Sequence, residues 1–272
     1  MLDRSNFIVD RYVRGTGYDL GTGERMYSMT QMKDMNLSIN IDNSVDVVDA
    51  EGSKIETIEK GISATLTGNN AFLNFDLLAN QIGATFKEAT SAQKLTMPKW
   101  EEVTLTAGQA SVELKETPVG TPGAEIPFIY VVPGGHGNSV AYAIGTESGQ
   151  FSLDVGTKTI TLPTDYTAAA GDKLFVDYEY EVEEGFAITK LATDRTKEHK
   201  FVALVLGHDI CDKNTQYAAW QVFPRAKFSQ EINQDFSTDA DHSFTLNMTQ
   251  DYCADENILF YFLFDGNAYS KN

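Results

Sequence analysis

The chain has 272 residues, 42% hydrophobic and 22% charged, which is enough apolar material for a full core in one large or two small domains. Its formal net charge of -18 excludes ordinary binding to nucleic acid, because that binding depends on Lys and Arg neutralising phosphates. The longest apolar run, Ile258 to Phe264, is far shorter than the ~20 residues a membrane-spanning helix needs. MLDRSNFIVDRY has no apolar core of a secretory signal, and two cysteines, Cys211 and Cys253, make no disulfide framework, so a reducing cytoplasm is the expected place of synthesis.

Residues 1–30 are polar, and Gly15, Gly17, Gly21 and Gly23 within RGTGYDLGTGE predict an irregular, adaptable arm rather than the interior of a strand. A phosphate-binding loop would need an apolar strand before it and a helix after it, and a P-loop also Lys-Ser/Thr; these are missing. Met35, Leu37, Ile39 and Ile41 then alternate with Asn36, Ser38, Asn40 and Asp42, and Ile62, Ala64 and Leu66 alternate with Ser63, Thr65 and Thr67. Both runs predict half-buried strands. The charged stretch between them, NSVDVVDAEGSKIETIEKG, is too long for a structureless loop and predicts an extended hairpin that is either solvated or meets a partner.

One convincing helix follows at about 70–82. Asn69 or Asn70 serves as its cap, Phe72, Phe75, Leu78, Ala79 and Ile82 lie on one stripe, Leu73 and Leu77 flank it, and Gly83 ends it. From Glu101 the text becomes short strands, VTLTA, SVELKET, FIYVV, VAYAI, QFSLDV, KTITLP and KLFVDYEYEV, separated by Gly/Pro clusters. That spacing predicts a small β-sandwich or barrel. Residues 101–190 carry 14 Asp and Glu against four Lys and Arg, more than half of the acidic excess, and this shift marks a separate inserted unit. Its last strand places Asp177, Glu179, Glu181 and Glu183 on one face and Tyr178, Tyr180 and Val182 on the other. Such a face repels polyanions or binds cations, or else it is a solvated edge strand protected by charge.

FVALVL (201–206) and YAAWQVF (217–223) return to core strands, and a closing antiparallel meander follows. It consists of Ala226 to Ile232 after Pro224, the alternating Ser243 to Thr249, and Ile258 to Phe264, whose unbroken apolar character predicts cover on both faces. The expected class is all-β with one principal helix: a sandwich or barrel domain from residues 1–100 and 191–272, interrupted by the acidic β domain at 101–190.

No pattern of a catalyst is present: no G-x-S-x-G, H-E-x-x-H, CxxC or EF-hand loop. In HDICD, His208 and Cys211 would approach a zinc site only if Cys253 joined them, and a fourth ligand is unassigned. Asp235, Asp239 and Asp241, and Asp251, Asp255 and Glu256, read as turn residues. His136, His199, His208 and His242 are tied by sequence to no nucleophile. The expectation is a protein without cofactor, metal or enzymatic activity.

The order of elements, with MKDMNLSINIDNS, ISATLTGNNAFLNFDLLANQIG and FPRAKFSQEINQDFSTDADHSFTLNMTQDY, resembles the major tail tube protein of long-tailed bacteriophages. The resemblance covers about two thirds of the chain and leaves residues 101–190 least explained. It implies β-sandwich or barrel subunits with a flanking helix, in hexameric rings that stack into a hollow tube alongside other tail proteins. DNA passes without specific binding through a typically acidic lumen, and the subunits are assembled in the host cytoplasm and end in the virion. It also implies that the first thirty residues and the hairpin at about 43–60, with Asp46, Asp49, Glu51, Lys54, Glu56 and Glu59, bridge stacked rings. Residues 101–190 would then be an outward decoration. Two other readings compete: a capsid decoration or head-completion protein, and a carbohydrate-binding β-sandwich with Trp100, Tyr142, Tyr178, Tyr180 or Trp220 as stacking platforms.

Overall fold

The computed structural model describes residues 6–229, 231, 235, 237, 241–250 and 257–270, without the side chains of Asp42, Asn43, Glu59 and Lys60. The chain opens with strands β1 (Phe7–Asp19), β2 (Arg25–Met29), β3 (Met32–Val48) and β4 (Lys54–Asn70), then helix α1 (Phe75–Ile82) and β5 (Thr85–Glu88). Seven strands follow: β6 (Leu95–Thr104), β7 (Ser111–Glu113), β8 (Phe128–Val132), β9 (Val140–Ala143), β10 (Ser152–Asp154), β11 (Thr159–Thr161) and β12 (Lys173–Val182). The last five are β13 (Phe186–Thr189), β14 (His199–Asp209), β15 (Asp212–Phe228), β16 (His242–Met248) and β17 (Tyr261–Ala268). The fold is all-β, built from antiparallel sheets with one α-helix.

Two compact units divide the chain, residues 1–86 with 188–272 and residues 87–187. The expected border at residue 100 falls instead inside β6, which is committed to the second unit by a continuous ladder with β12 from Leu95↔Val182 to Thr104↔Lys173.

In the first unit the sheet runs β2-β1-β14-β15-β16-β4-β3, and β17 pairs with β15 on the β16 side, along its Tyr217–Val222 stretch. β2 and β3 stand at opposite ends of that path, yet only Thr30 and Gln31 separate them. So short a link spans roughly 11 Å at most, and the sheet must curl until its two ends approach. Tyr27 and Met29 from one end therefore share a core with Met32, Ala64 and Leu66 from the other, around Phe201, Phe223, Phe244 and Leu246.

The N-terminal glycines belong to this packing. The arm expected over residues 1–30 is in fact β1 and β2 from Phe7 onward, and residues 1–5 lie outside the described residues. A Cβ on Gly15 would collide with Met32 and Phe201, and one on Gly17 with the ring of Tyr27. These glycines are therefore bare backbone under large side chains, the use glycine has inside a strand where another group approaches closely.

α1 bridges the gap between the ends of the curled sheet. It starts at Phe75, later than expected, because β4 keeps pairing to Asn70 with both β3 and β16, and Asn74 supplies the cap to the Leu77 N–H at 3.0 Å. Asn74 Nδ2 also donates to the Ser28 carbonyl of β2 at 2.8 Å, and Gln81 Nε2 donates to the Ser243 carbonyl of β16 at 2.8 Å. Leu77, Ala79 and Gln81 are the buried positions, whereas Phe72 and Phe75 of the expected stripe, and Leu73 beside it, are exposed. Gly83 ends the helix in the left-handed conformation, φ 65°.

Two histidines are sealed into this unit. His242 Nδ1 accepts from the Asn74 N–H at 3.1 Å, so Nε2 carries the proton and donates to Gln81 Oε1 at 2.6 Å. His199 Nε2 accepts from the Tyr27 hydroxyl at 2.7 Å, while Nδ1 donates to the Lys197 carbonyl at 3.3 Å. The His242 arrangement requires a neutral ring, and burial lowers the pKa of both histidines, that of His242 to about 4.

The second unit is a small sandwich. Sheets β6-β12-β8-β9 and β10-β11-β7 enclose one core of Ile129, Val131, Leu174 and Val176 against Val112, Phe151 and Ile160. Six of the seven short strands expected there are present, while the first, VTLTA, is only the end of β6, which begins at Leu95 and stops at Thr104. The buried carboxylate of Asp172 ties its own β11–β12 loop to the one after β8 by accepting from the Tyr166 hydroxyl at 2.6 Å, the Gly134 N–H at 2.8 Å and the Ala169 N–H at 2.9 Å. These bonds, that of Tyr166 foremost, keep it below the usual carboxylate range.

The closing meander differs from expectation in two places. β15 is one strand from Asp212 through Phe228, with Pro224 accommodated where the register with β14 shifts between His199 and Phe201. β17 pairs with β15 alone and leaves Phe262, Leu263 and Phe264 exposed, so its apolar run is not covered on both faces. Residues of the acidic turn clusters other than Asp235 and Asp241 lie outside the described residues, as does Cys253.

Because the folded state refuses a proton on His242 that the unfolded chain takes up near pH 6.5, its contribution to stability is complete above that pH. It is lost progressively as pH falls to about 4. His242→Gln is expected to destabilise the protein by about 1–3 kcal/mol at pH 7. It is also expected to flatten the decline of the denaturation midpoint over that window, and an unchanged slope would show that the ring does not carry this linkage.

Candidate functional site

The β3–β4 hairpin holds the surface that the monomer leaves unused. Its strands pair from Met32↔Asn70 to Val48↔Lys54, beyond the two extended runs expected, and only residues 49–53 form the turn. β16 covers β4 only from Ala64 to Asn70, so about ten residues of each hairpin strand continue past it. Side chains alternate, and the face that buries Leu66 near the core continues outward through the pairs Ile41↔Ile62 and Val45↔Ile58. There Ile41, Ile62, Val45 and Ile58 are 49%, 58%, 45% and 44% exposed. A core-type face thus runs out of the core.

The charged hairpin residues singled out by sequence are mostly internal to it. Asp46 accepts from Thr57 at 2.8 Å and pairs with Lys54 at 2.8 Å, which lowers its pKa, the Lys54 contact being the larger cause. Asp49 ties the turn by accepting from the N–H groups of Glu51 and Ser53 at 2.9 and 2.7 Å, and Gly52 supplies φ 83°. Glu51 and Glu56 stand free in solvent, while the side chain of Glu59 lies outside those described. Sequence reasoning missed the stripe of Ile41, Val45, Ile58 and Ile62. Its signal was the phase of Leu37, Ile39 and Ile41 continuing as Val45 and Val47 inside a segment that reads as polar.

At the helix end of the same unit, about 40 Å along β4 from the turn, lies a cavity of about 500 Å³. Its lining includes Gln81, Lys190, Asp194, Arg195 and Lys227. Lys190 donates to the Asp194 carbonyl at 2.8 Å, and Arg195 donates to the Ala192 and Asp194 carbonyls at 3.1 and 3.0 Å. These are backbone contacts, so the cavity keeps a positive balance in an acidic protein.

The acidic face is placed together as expected: Asp177, Glu179, Glu181 and Glu183 are all exposed. It is not an edge strand. β12 lies between β6 and β8, and past Val176 the Val119↔Glu179 bridge continues its second flank. Lys94 partly neutralises the face, 3.2 Å from Glu183 and 3.6 Å from Glu181. His208 pairs with Asp10 at 2.6 Å and Cys211 is exposed, and among the described residues no three His, Cys, Asp or Glu side chains converge to hold a metal. No described helix is long and apolar enough to cross a membrane.

An apolar stripe thus runs outside the core on an antiparallel β unit. Comparison with protein families matches residues 16–258 to the YomU/Tube protein family. The chain belongs to that family. Membership supports a phage tube-type structural protein, a virion component. The match spans residues of both compact units. No curated protein matches the chain.

If the stripe is spare surface for folding, Val45→Ser with Ile58→Ser should change the stability of the monomer by no more than about 1 kcal/mol. Leu66→Ala, on the same face but inside the core, should cost about 2–5 kcal/mol. Denaturant titration of dilute protein measures both, and a large loss for the outer pair would make the stripe part of the fold instead.

Proposed function

We propose that the protein is the tail tube subunit of a long-tailed bacteriophage. Copies close into rings, expected to be hexameric, and the rings stack into a hollow tube through which DNA passes during ejection. The observation that carries this reading is the hairpin, whose core-type face has no cover among the described residues. Burying that stripe against a neighbour would recover on the order of 25 cal/mol for each Å² of apolar area.

The charges suit a head-to-tail contact. The turn end of the hairpin carries Glu51 and Glu56 free, and the basic cavity lies at the opposite end of the same unit, too far for the turn to reach its own cavity. A contact between unlike surfaces of identical copies does not close on itself along its axis and propagates as an open stack. A capsid decoration or head-completion protein would share the β build but has no such use for a stripe at one end and a receptor at the other. The net charge of -18 fits a conduit, because like charge keeps DNA from adhering to the wall. The reading further places the subunit in the virion tail beside other tail proteins, after assembly in the host cytoplasm.

Negative-stain electron microscopy of concentrated full-length protein should show hollow tubes or stacked rings, whereas compact single particles over a range of salt would refute the reading. In tube-forming conditions, Arg195→Glu with Lys227→Glu should reduce tube yield by about tenfold or more, as should Glu51→Lys with Glu56→Lys. Combining the two pairs should restore assembly. If the wild type forms tubes but neither reversal matters, the tube stands and the proposed receptor falls.

A further inference from the structure

We infer that the outer face of the second unit binds a glycan chain that carries no anionic groups. This does not depend on the tube reading. The inner face of sheet β6-β12-β8-β9 points Ile129, Val131, Leu174 and Val176 into the core. Alternation puts Trp100, Phe128, Tyr130, Phe175, Asp177 and Glu179 on the other side.

Trp100 is 84% exposed, an unusual state for the largest apolar side chain, and Phe128 is 50% exposed. Trp100 is paired directly with Asp177 across β6 and β12, and Phe128 lies one residue beyond the Val176↔Ile129 pair on the opposite flank. Ring, carboxylate and ring therefore form one row across three strands, with Trp100 and Phe128 about 10 Å apart. Tyr130 and Phe175 lie side by side in the next row.

Beside the Trp100 end is a cavity of about 350 Å³, walled by Pro98, Val119, Ala124 and Pro127 and rimmed by Glu125, Asp177 and Glu179. The cations of this sheet are engaged elsewhere: Lys94 with Glu181 and Glu183, Lys99 with Glu116, and Lys173 with Glu102. Asp177 and Glu179 make no ion pair among the described residues.

This row favours one ligand chemistry. A single organic cation would satisfy Trp100 and Asp177 but leave Phe128 bare, whereas a chain of linked sugar rings covers both aromatics. The C–H face of each ring would lie on an indole or phenyl face, which carries partial negative charge. The hydroxyls, or an amino group, would donate to the carboxylates, and charge-assisted bonds of this kind are the stronger ones. The same carboxylates repel sugar acids and phosphates.

The test uses the full-length chain with Trp220→Phe, so that Trp100 is the only fluorophore of its type, titrated with chitohexaose, its de-N-acetylated amino form, and oligogalacturonate. The first two should shift and saturate Trp100 emission, and oligogalacturonate should not. Adding Phe128→Ala, or Asp177→Asn with Glu179→Gln, should weaken binding about tenfold without changing the thermal midpoint. Trp100→Ala should do the same when binding is followed by calorimetry. Equal binding of the anionic oligomer would overturn the inference, as would no response to any saccharide or a response only to an arginine-rich peptide, which would point to a protein partner instead.

Discussion

A curled sheet that ends in β2 leaves one row of backbone groups on that strand without a ladder partner, and the larger unit depends on α1 to supply partners there. Asn74 donates to the Ser28 carbonyl while its own oxygen caps the helix, so one side chain serves both the strand and the helix. On the other side, His242 and Gln81 tie the helix to β16 by bonds that leave both ring nitrogens occupied. A buried polar network of this kind is stabilising only when every member is satisfied. That condition explains why helix, β2 and β16 form as a set, and why the neutral imidazole is required and not incidental.

Closure at the helix end has a consequence at the other. Once β16 stops at Met248, the strands it separated are no longer held in one sheet: β17 takes the flank of β15, and the β3–β4 hairpin continues alone. An isolated two-stranded ribbon is marginal in water. This one also shows isoleucine and valine to solvent, while β17 shows Phe262, Leu263 and Phe264. Exposed apolar edges are usually suppressed in proteins that stay monomeric. Their presence together at the end away from α1 is the physical content behind a self-assembling reading of the family assignment.

How much of this could be read from the chain follows the range of each interaction. The alternation in Met35–Asp42, Ser243–Thr249 and six short strands of the second unit was legible, because a half-buried strand writes its two faces into neighbouring residues. The helix was legible in kind but shifted, since β4 pairs on to Asn70 with strands distant in sequence, and no local signal states where that pairing stops. Gly15 and Gly17 pointed to a loose arm because glycine marks both flexible backbone and close approach, and only the positions of Met32, Phe201 and Tyr27 decide between them. β17 misled for a related reason: an apolar run signifies burial, but not whether the cover comes from the same chain.

The acidic balance of the protein is also unevenly distributed by role. In the hairpin, Asp46 and Asp49 hold the turn end, and in the sandwich Asp172 joins two loops, so these carboxylates are structural. Glu181 and Glu183 are screened by Lys94. Asp177 and Glu179 remain unscreened beside Trp100, where an exposed indole would otherwise invite indiscriminate apolar contact. Carboxylates flanking an aromatic surface exclude anionic and purely apolar partners while leaving a polar, hydroxyl-bearing one welcome, which is discrimination by repulsion as much as by attraction. The hairpin stripe presents Ile41, Val45, Ile58 and Ile62 with Glu56 at its turn end only, and so carries less of that filter, as suits a surface whose proposed partner is another copy of the same chain.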